Sequence, residues 1–238
     1  MSDLLVIVPS RGRPESVARM AKAWRETGAH EHAQLVFAID ADDPRRDDYY
    51  VTDLPLGGVD EVVFFHELPA WKPMVHKLNE CAMAAIGVHH WSAVAFMGDD
   101  HLPRTHGWAK RYLDELRRLR TGIVYGDDGY QGGGLPTQWA MTSDIVQALD
   151  RMVPAPVEHL YCDNSILALG QAARCIKYLP DVLIEHMHPV AGKAEQDDQY
   201  RRVNSREQYG RDRSAYHRWR RDGLRDDARR IRELRRQG

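Results

Sequence analysis

The sequence predicts an α/β protein in which a mostly parallel sheet is flanked by helices, followed by a mixed C-terminal half and a helical, Arg-rich tail. Three observations predict it. Short apolar runs of strand length alternate with stretches whose apolar residues recur at helical spacing through the first half of the chain. The runs are continuous rather than alternating, which marks strands covered on both faces. From Ala194 onward the chain turns polar and carries fourteen Arg and no Lys, so the tail is net positive although the chain as a whole has a charge of −2.

Leu4–Val8 is the first buried strand, and Pro9-Ser10-Arg11-Gly12-Arg13-Pro14 is the loop after it. Pro14 suits the first turn of a helix that buries Val17, Met20, Ala21 and Trp24 and closes at Gly28. Leu35–Ile39 is the second strand and ends at Asp40, before an acidic loop. Glu61–Phe65 is the third strand. Val75, Leu78, Ala82 and Ala85 mark a helix ending near Gly87, and Ala93–Met97 is the fourth strand. A helix on Trp108, Tyr112, Leu116 and Leu119 leads to a strand at Ile123–Tyr125 and a glycine-rich loop, Gly129–Pro136, with the makings of a mobile flap. Ile145–Met152 and Cys162–Leu169 are helical. Cys175–Leu179 and Val182–Glu185 read as two strands, and Asp222–Gln237 as a terminal helix with sparse apolar positions.

Composition excludes several classes. A near-neutral chain is not, as a whole, a polyanion binder. Three cysteines without a C-x-x-C pair point to a reduced, cytoplasmic protein without structural zinc. The N-terminus lacks a basic region and a long apolar run, so it reads as a strand rather than a signal peptide, and no run has the length to span a membrane.

The residues that carry chemistry cluster at strand ends. Phe96-Met-Gly-Asp99-Asp100-His101 places two carboxylates and an imidazole where a buried strand stops, a position suited to a hard divalent cation that in turn holds phosphate. Arg11 and Arg13 are suited to phosphate or a base. Asn79 is an unfavourable residue inside a helix and calls for a partner. Asp163 has the alternatives of catalytic base or helix cap. His186 and His188 alternate by two and so share one side of a strand. Asp127-Asp128 reads best as a turn, and Trp139 as either core or a sugar platform.

Taken together, these segments resemble GT-A glycosyltransferases, close to the family 2 type and to the compact versions found in bacteriophages, over roughly Leu4 to Tyr200. The resemblance implies a glycosyltransferase domain over 1–192 and a mainly helical extension over 193–238. It implies a nucleotide pocket from Pro9, Ser10, Arg11, Arg13, Asp40, Lys77, Asn79 and Asp99. Metal ligands would be Asp99, Asp100 and His186, with His188 the alternative to His186, for Mn²⁺ or Mg²⁺. Asp163 would be the catalytic base. The chain departs from the family at two places: Met97 stands where an Asp-x-Asp motif would begin, and Cys162 where an acidic neighbour of Asp163 is usual.

The implied reaction is metal-dependent transfer of a sugar from a nucleoside-diphosphate donor, UDP-linked in the first instance, to an acceptor hydroxyl with inversion. The acceptor is left open between glycan, protein and modified DNA, and the tail suggests a homo-oligomer contact. The setting is the cytoplasm, the host's if the protein is phage-encoded. Two rivals stand beside it. A nucleotidyltransferase shares the topology, but its Gly-rich opening is poorly matched by Pro9–Arg13. A non-catalytic module would bind sugar nucleotide or glycan without turnover.

Overall fold

The computed structural model describes residues 3–51, 63–68, 71–187 and 204–237. Its strands are β1 (Leu4–Pro9), β2 (Ala33–Asp40), β3 (Val63–Leu68), β4 (Ala93–Phe96), β5 (His101–Pro103), β6 (Ile123–Asp127), β7 (Trp139–Thr142) and β8 (Ile176–His186). Its helices are α1 (Pro14–Glu26), α2 (Asp48–Val51), α3 (Met74–Val88), α4 (Trp108–Leu119), α5 (Ser143–Leu149), α6 (Cys162–Ala173), α7 (Arg206–Asp222) and α8 (Leu224–Gln237).

The strands lie in the order β3-β2-β1-β4-β7-β6-β8-β5. The first four are parallel neighbours, as continuous apolar runs separated by helices require. β7 then runs antiparallel to both β4 and β6, while β6 and β8 are parallel. The sheet is therefore mixed, and its parallel character is strongest in the N-terminal half.

Each face of the sheet carries its own core. On one face Trp24 of α1 meets Trp108 of α4 edge to face, 5.6 Å between ring centroids, over Leu4, Val6 and Val8. On the other, α3, α5 and α6 cover Leu5, Ile7 and Val94. Tyr216 and Trp219 of α7 and Ala228 and Ile231 of α8 belong to this second core. The C-terminal helices are thus packed into the same hydrophobic mass as the sheet. Arg151 forks onto the Asp227 carboxylate at 2.8 and 3.0 Å, and the Trp219 indole N–H donates to the same group at 2.8 Å. Arg151 Nη2 is shared between both oxygens of a nearly buried carboxylate, so this charge-assisted contact helps hold α8 in place.

Several expectations are corrected. The two strands predicted at 175–185 are one, β8. Its register jumps from Gly126↔Leu179 to Asp127↔Leu183, so Pro180, Asp181 and Val182 bulge out, a place where proline's missing N–H is tolerated. The tail forms two helices rather than one, parted at Gly223. β5, β7 and α2 were not foreseen. Trp139 is fully buried against Phe96, 4.5 Å between centroids, and is core rather than a sugar platform. Glu61, Val62 and His188 lie outside the described residues. All three cysteines are buried and unpaired. Among the described residues no helix is long and apolar enough to cross a membrane.

Candidate active site

The C-terminal ends of β1 and β4 open into a cleft of about 880 Å³. Three groups of elements wall it: the loop after β1 with the start of α3, the turn after β4 with the end of β8, and the 158–164 segment with the first turns of α7.

The first wall holds Pro9, Ser10, Arg11, Arg13 and Lys77. Behind it lies Asp40 at the end of β2, with no exposed surface. Lys77 Nζ donates to Asp40 Oδ2 at 2.7 Å and Arg11 Nη1 donates to the same oxygen at 2.9 Å. Burial pulls the Lys77 pKa down, and Asp40 opposes that shift. The predicted Asp40, Arg11 and Lys77 are therefore brought together as one buried ion cluster. Asn79, two residues along α3, is not brought to the cleft. Its Oδ1 accepts the backbone N–H groups of Met152 and Val153 at 2.9 and 2.8 Å, which is the partner its helical position called for.

The second wall splits the Asp99-Asp100 pair. Asp99 turns toward the β1 loop, where Ser10 Oγ donates to it at 2.7 Å and Arg13 Nη1 at 3.2 Å. Burial pushes Asp99 up to about 6 against the pull of Arg13. Tyr49 of α2 braces this corner. Its hydroxyl lies 3.1 Å from Ser10 Oγ and accepts the Arg13 N–H at 3.1 Å. Tyr49 left no sequence signal beyond an aromatic in a polar stretch.

Asp100 turns the other way, toward two histidines. β5 pairs antiparallel with β8 in a register that sets His101 opposite His186. The imidazoles stack at 4.2 Å, and His186 Nε2 lies 3.3 Å from Asp100 Oδ2. Burial alone would raise Asp100, but hydrogen bonding to His101 and His186 holds it well below the usual carboxylate range. Burial and the neighbouring His186 lower His101. Ligand atoms of Asp100, His101 and His186 all lie within 4.8 Å of one another. Gly98 makes this possible, because a Cβ there would collide with Asp100 Oδ1 and come within 2.8 Å of His101 Nδ1. Of the predicted ligands, Asp100 and His186 are in this cluster and Asp99 sits beside it. His101 joins it through a strand pairing that sequence periodicity does not reveal.

The cluster suits a divalent cation. His101 Nε2 is buried with no hydrogen-bond partner among the described residues, while Nδ1 accepts the Gly98 N–H at 2.8 Å, so ligation by this imidazole would have to shift that hydrogen bond or the ring proton. One carboxylate with two imidazoles is a mixed oxygen and nitrogen set, which fits Mn²⁺ better than Mg²⁺.

The third wall carries Asp163, in the first turn of α6. Its Oδ1 accepts the Asn164 N–H at 2.8 Å, and the helix begins one residue before it, so it is not the cap residue. Burial pushes Asp163 up to about 6, opposed by that N–H and by His186. A carboxylate of this pKa, half-buried at a cleft wall, can accept a proton near neutrality. Tyr161 precedes it at φ 64°, a left-handed backbone unusual for an aromatic residue. His159, pushed down to about 4 by burial, completes this wall. Asp128 does not enter the cleft. It accepts the N–H groups of Tyr130, Gln131 and Gly132 and the Thr137 hydroxyl, and so ties down the glycine-rich loop.

The fold is that of nucleotide-diphospho-sugar glycosyltransferases. Solved structures similar to this chain include the mannosyltransferase PcManGT from Pyrobaculum calidifontis in complex with GDP-Man and Mn²⁺, at 15% identity and a TM-score of 0.69 over 98% of this chain and 69% of that one. S. aureus TarS 1-349 in complex with UDP-GlcNAc superposes at 12% identity and a TM-score of 0.54, over 85% of this chain and 64% of that one. A protein assigned as a nucleotide-diphospho-sugar transferase from Desulfovibrio desulfuricans G20 matches at 13% identity and 0.53, over 100% and 98% of the two chains. No protein-family model and no curated protein sequence matches the chain.

Proposed function

We propose that this protein is a metal-dependent glycosyltransferase that moves a sugar from a nucleoside-diphosphate donor to an acceptor hydroxyl with inversion. The observation that carries the reading is the placement of the Asp100-His101-His186 cluster and the Asp163 carboxylate on different walls of one cleft. The similar structures with GDP-Man and Mn²⁺ and with UDP-GlcNAc support it through their fold.

The roles follow from the chemistry. Asp100, His101 and His186 would hold Mn²⁺, which when bound neutralises the charge growing on a leaving diphosphate. Asp99, tied to Ser10 and Arg13, and Arg11 and Lys77, held from behind by the buried Asp40, would line the nucleoside side of the cleft. Asp163 takes the proton from the acceptor hydroxyl on the opposite side of the sugar. The donor nucleotide is proposed as UDP. A nucleotidyltransferase would require a phosphate-cradling loop after β1, and here that loop is braced by Tyr49 and Asp43 instead.

The test is release of nucleoside diphosphate from a panel of UDP- and GDP-sugars with Mn²⁺ and after chelation. Metal-dependent turnover of at least one donor is expected. No turnover, together with no nucleotide binding by calorimetry, would overturn the assignment. Pyrophosphate release from a nucleoside triphosphate would favour the nucleotidyltransferase. Nucleotide binding without turnover would favour the binding module.

A further inference from the structure

The wall beyond Asp163 has features that nucleotide or metal binding does not use. Tyr161 and Tyr209 face each other there, the second on α7, with hydroxyls 2.8 Å apart and ring centroids at 5.6 Å. Tyr161 also stacks on Tyr216, 5.3 Å between centroids, which fixes its ring from behind. Tyr209 is 49% exposed, and Trp71, 39% exposed, lines the same cleft. An aromatic ring half exposed to a polar cleft, as at Tyr209, suits a ligand with an apolar face of its own.

The wall is a built one. Asp212 of α7 is buried, and its carboxylate accepts the backbone N–H groups of Glu158, His159 and Leu160 at 2.8, 3.1 and 2.8 Å. That clamp locks α7 to the segment that ends in Tyr161 and Asp163. The left-handed backbone at Tyr161 is thereby held against its intrinsic preference, as strained residues at functional sites are.

Its charge pattern is balanced. Arg211, a cation lining this wall, pairs with Glu207 at 2.7 Å and approaches Glu158 at 3.9 Å. Further along the tail, Arg232 donates to Ala172 O and Arg235 to Arg174 O, at the C-terminal end of α6. A polyanion needs cations free to neutralise phosphates, and Arg211, which lines the cleft on this wall, is paired with a carboxylate. Aromatic faces flanked by amide, hydroxyl and paired charged groups match a sugar ring, which is apolar on one face and hydroxylated at its rim.

We propose that the Tyr161–Tyr209 shelf and the first turns of α7 form the acceptor subsite, and that it takes a neutral saccharide. This rests on the glycosyltransferase reading above and names the acceptor class it left open. The sugar packs on the shelf, and a hydroxyl of it reaches Asp163, two residues from Tyr161.

The experiment measures nucleoside diphosphate release by the whole chain with the best UDP- or GDP-sugar. Acceptors are water alone, a panel of methyl glycosides and neutral disaccharides, a short DNA duplex and a Ser/Thr-rich peptide. At least one neutral saccharide is expected to stimulate release above water. Tyr209→Ala should raise the KM for that saccharide about tenfold, and Tyr209→Phe, which keeps the ring, should restore it to near wild type. Stimulation by DNA or peptide alone, or a saccharide KM unmoved in Tyr209→Ala, overturns the proposal. Calorimetry with UDP and GDP separates the two levels. Nucleotide binding without any saccharide response removes the acceptor subsite alone, whereas a protein that binds no nucleotide loses the donor reading and the subsite with it.

Discussion

Asp212→Asn isolates the clamp between α7 and the loop before Asp163. In the native protein Asp212 Oδ1 accepts the Glu158 N–H, while Oδ2 accepts from His159, Leu160 and the Gln208 side-chain amide, the last at 2.9 Å. Asparagine keeps one oxygen. In the better orientation that oxygen serves the three donors around Oδ2, and the new amide faces the Glu158 N–H, so one bond is lost outright and the others lose their charge. Hydrogen bonds to a charged acceptor contribute about 1.5–3 kcal/mol each, so a loss of about 2–3 kcal/mol is expected. For a chain of 238 residues, about 2–4 °C of Tm per kcal/mol gives a fall of about 5–10 °C. Differential scanning calorimetry of the two proteins measures it directly. A Tm within about 1 °C of wild type would refute the clamp, because a buried carboxylate with four donors cannot be neutralised so cheaply unless those donors find solvent. Asp227→Asn is the matched control. It weakens the Arg151 and Trp219 anchor of α8 and should lower Tm without moving the saccharide KM.

Three further outcomes are expected. Lys77→Met leaves Asp40 fully buried with Arg11 as its remaining cation, and should lower stability by about 3 kcal/mol in denaturant unfolding; a loss below about 1 kcal/mol would mean that Arg11 alone satisfies the carboxylate. Gly98→Ala drives a methyl group into Asp100 and His101, and should weaken Mn²⁺ binding at least about tenfold by titration calorimetry; unchanged affinity would move the metal elsewhere. Burial raises Asp163 to about 6, so the proton-accepting form prevails above that pH and is lost below it; transfer kcat/KM should fall as pH drops through about 6, and that limb should vanish in Asp163→Asn. Asp99 is also pushed up to about 6, so a limb that survives in the variant belongs to Asp99.

What the sequence made legible follows the range of the interactions involved. β1, β2 and β4 are buried on both faces, so their apolar runs announce themselves locally. α4 buries Trp108, Tyr112, Leu113 and Leu116 and turns its Lys and Arg outward, so its period is plain. β7 and β5 have no comparable signature. β7 is four residues between two antiparallel neighbours, and β5 is three residues whose only partner among the described residues is β8, more than seventy positions away. Their existence depends on pairings that no local window contains. The bulge in β8 misled in the opposite sense, because Pro180 reads as a break although the strand resumes in the same sheet.

The site divides along the same line. Asp100, Asp163 and the loop from Pro9 to Arg13 stand at the ends of legible elements; the loop and Asp100 meet at the cleft because parallel strands deliver their C-terminal ends to one edge, and Asp163 reaches it from the first turn of α6. His101 is different. Its residue type was visible beside Asp100, but its orientation toward His186 is set by the β5–β8 register. A residue that follows Asp-Asp in sequence acquires its place in the cluster only when a strand from the far end of the chain is laid against it. Asn79 shows the converse. It lies on a helix that enters the cleft through Lys77, yet two residues along α3 turn its side chain by about 200°, since each residue advances about 100°. It therefore meets the 152–153 backbone on the opposite side and stabilises the scaffold instead of touching the nucleotide pocket. Position on the right element is thus a weaker guide to a site than position on the right face of it, and at Asn79 the helical period alone already separates the two.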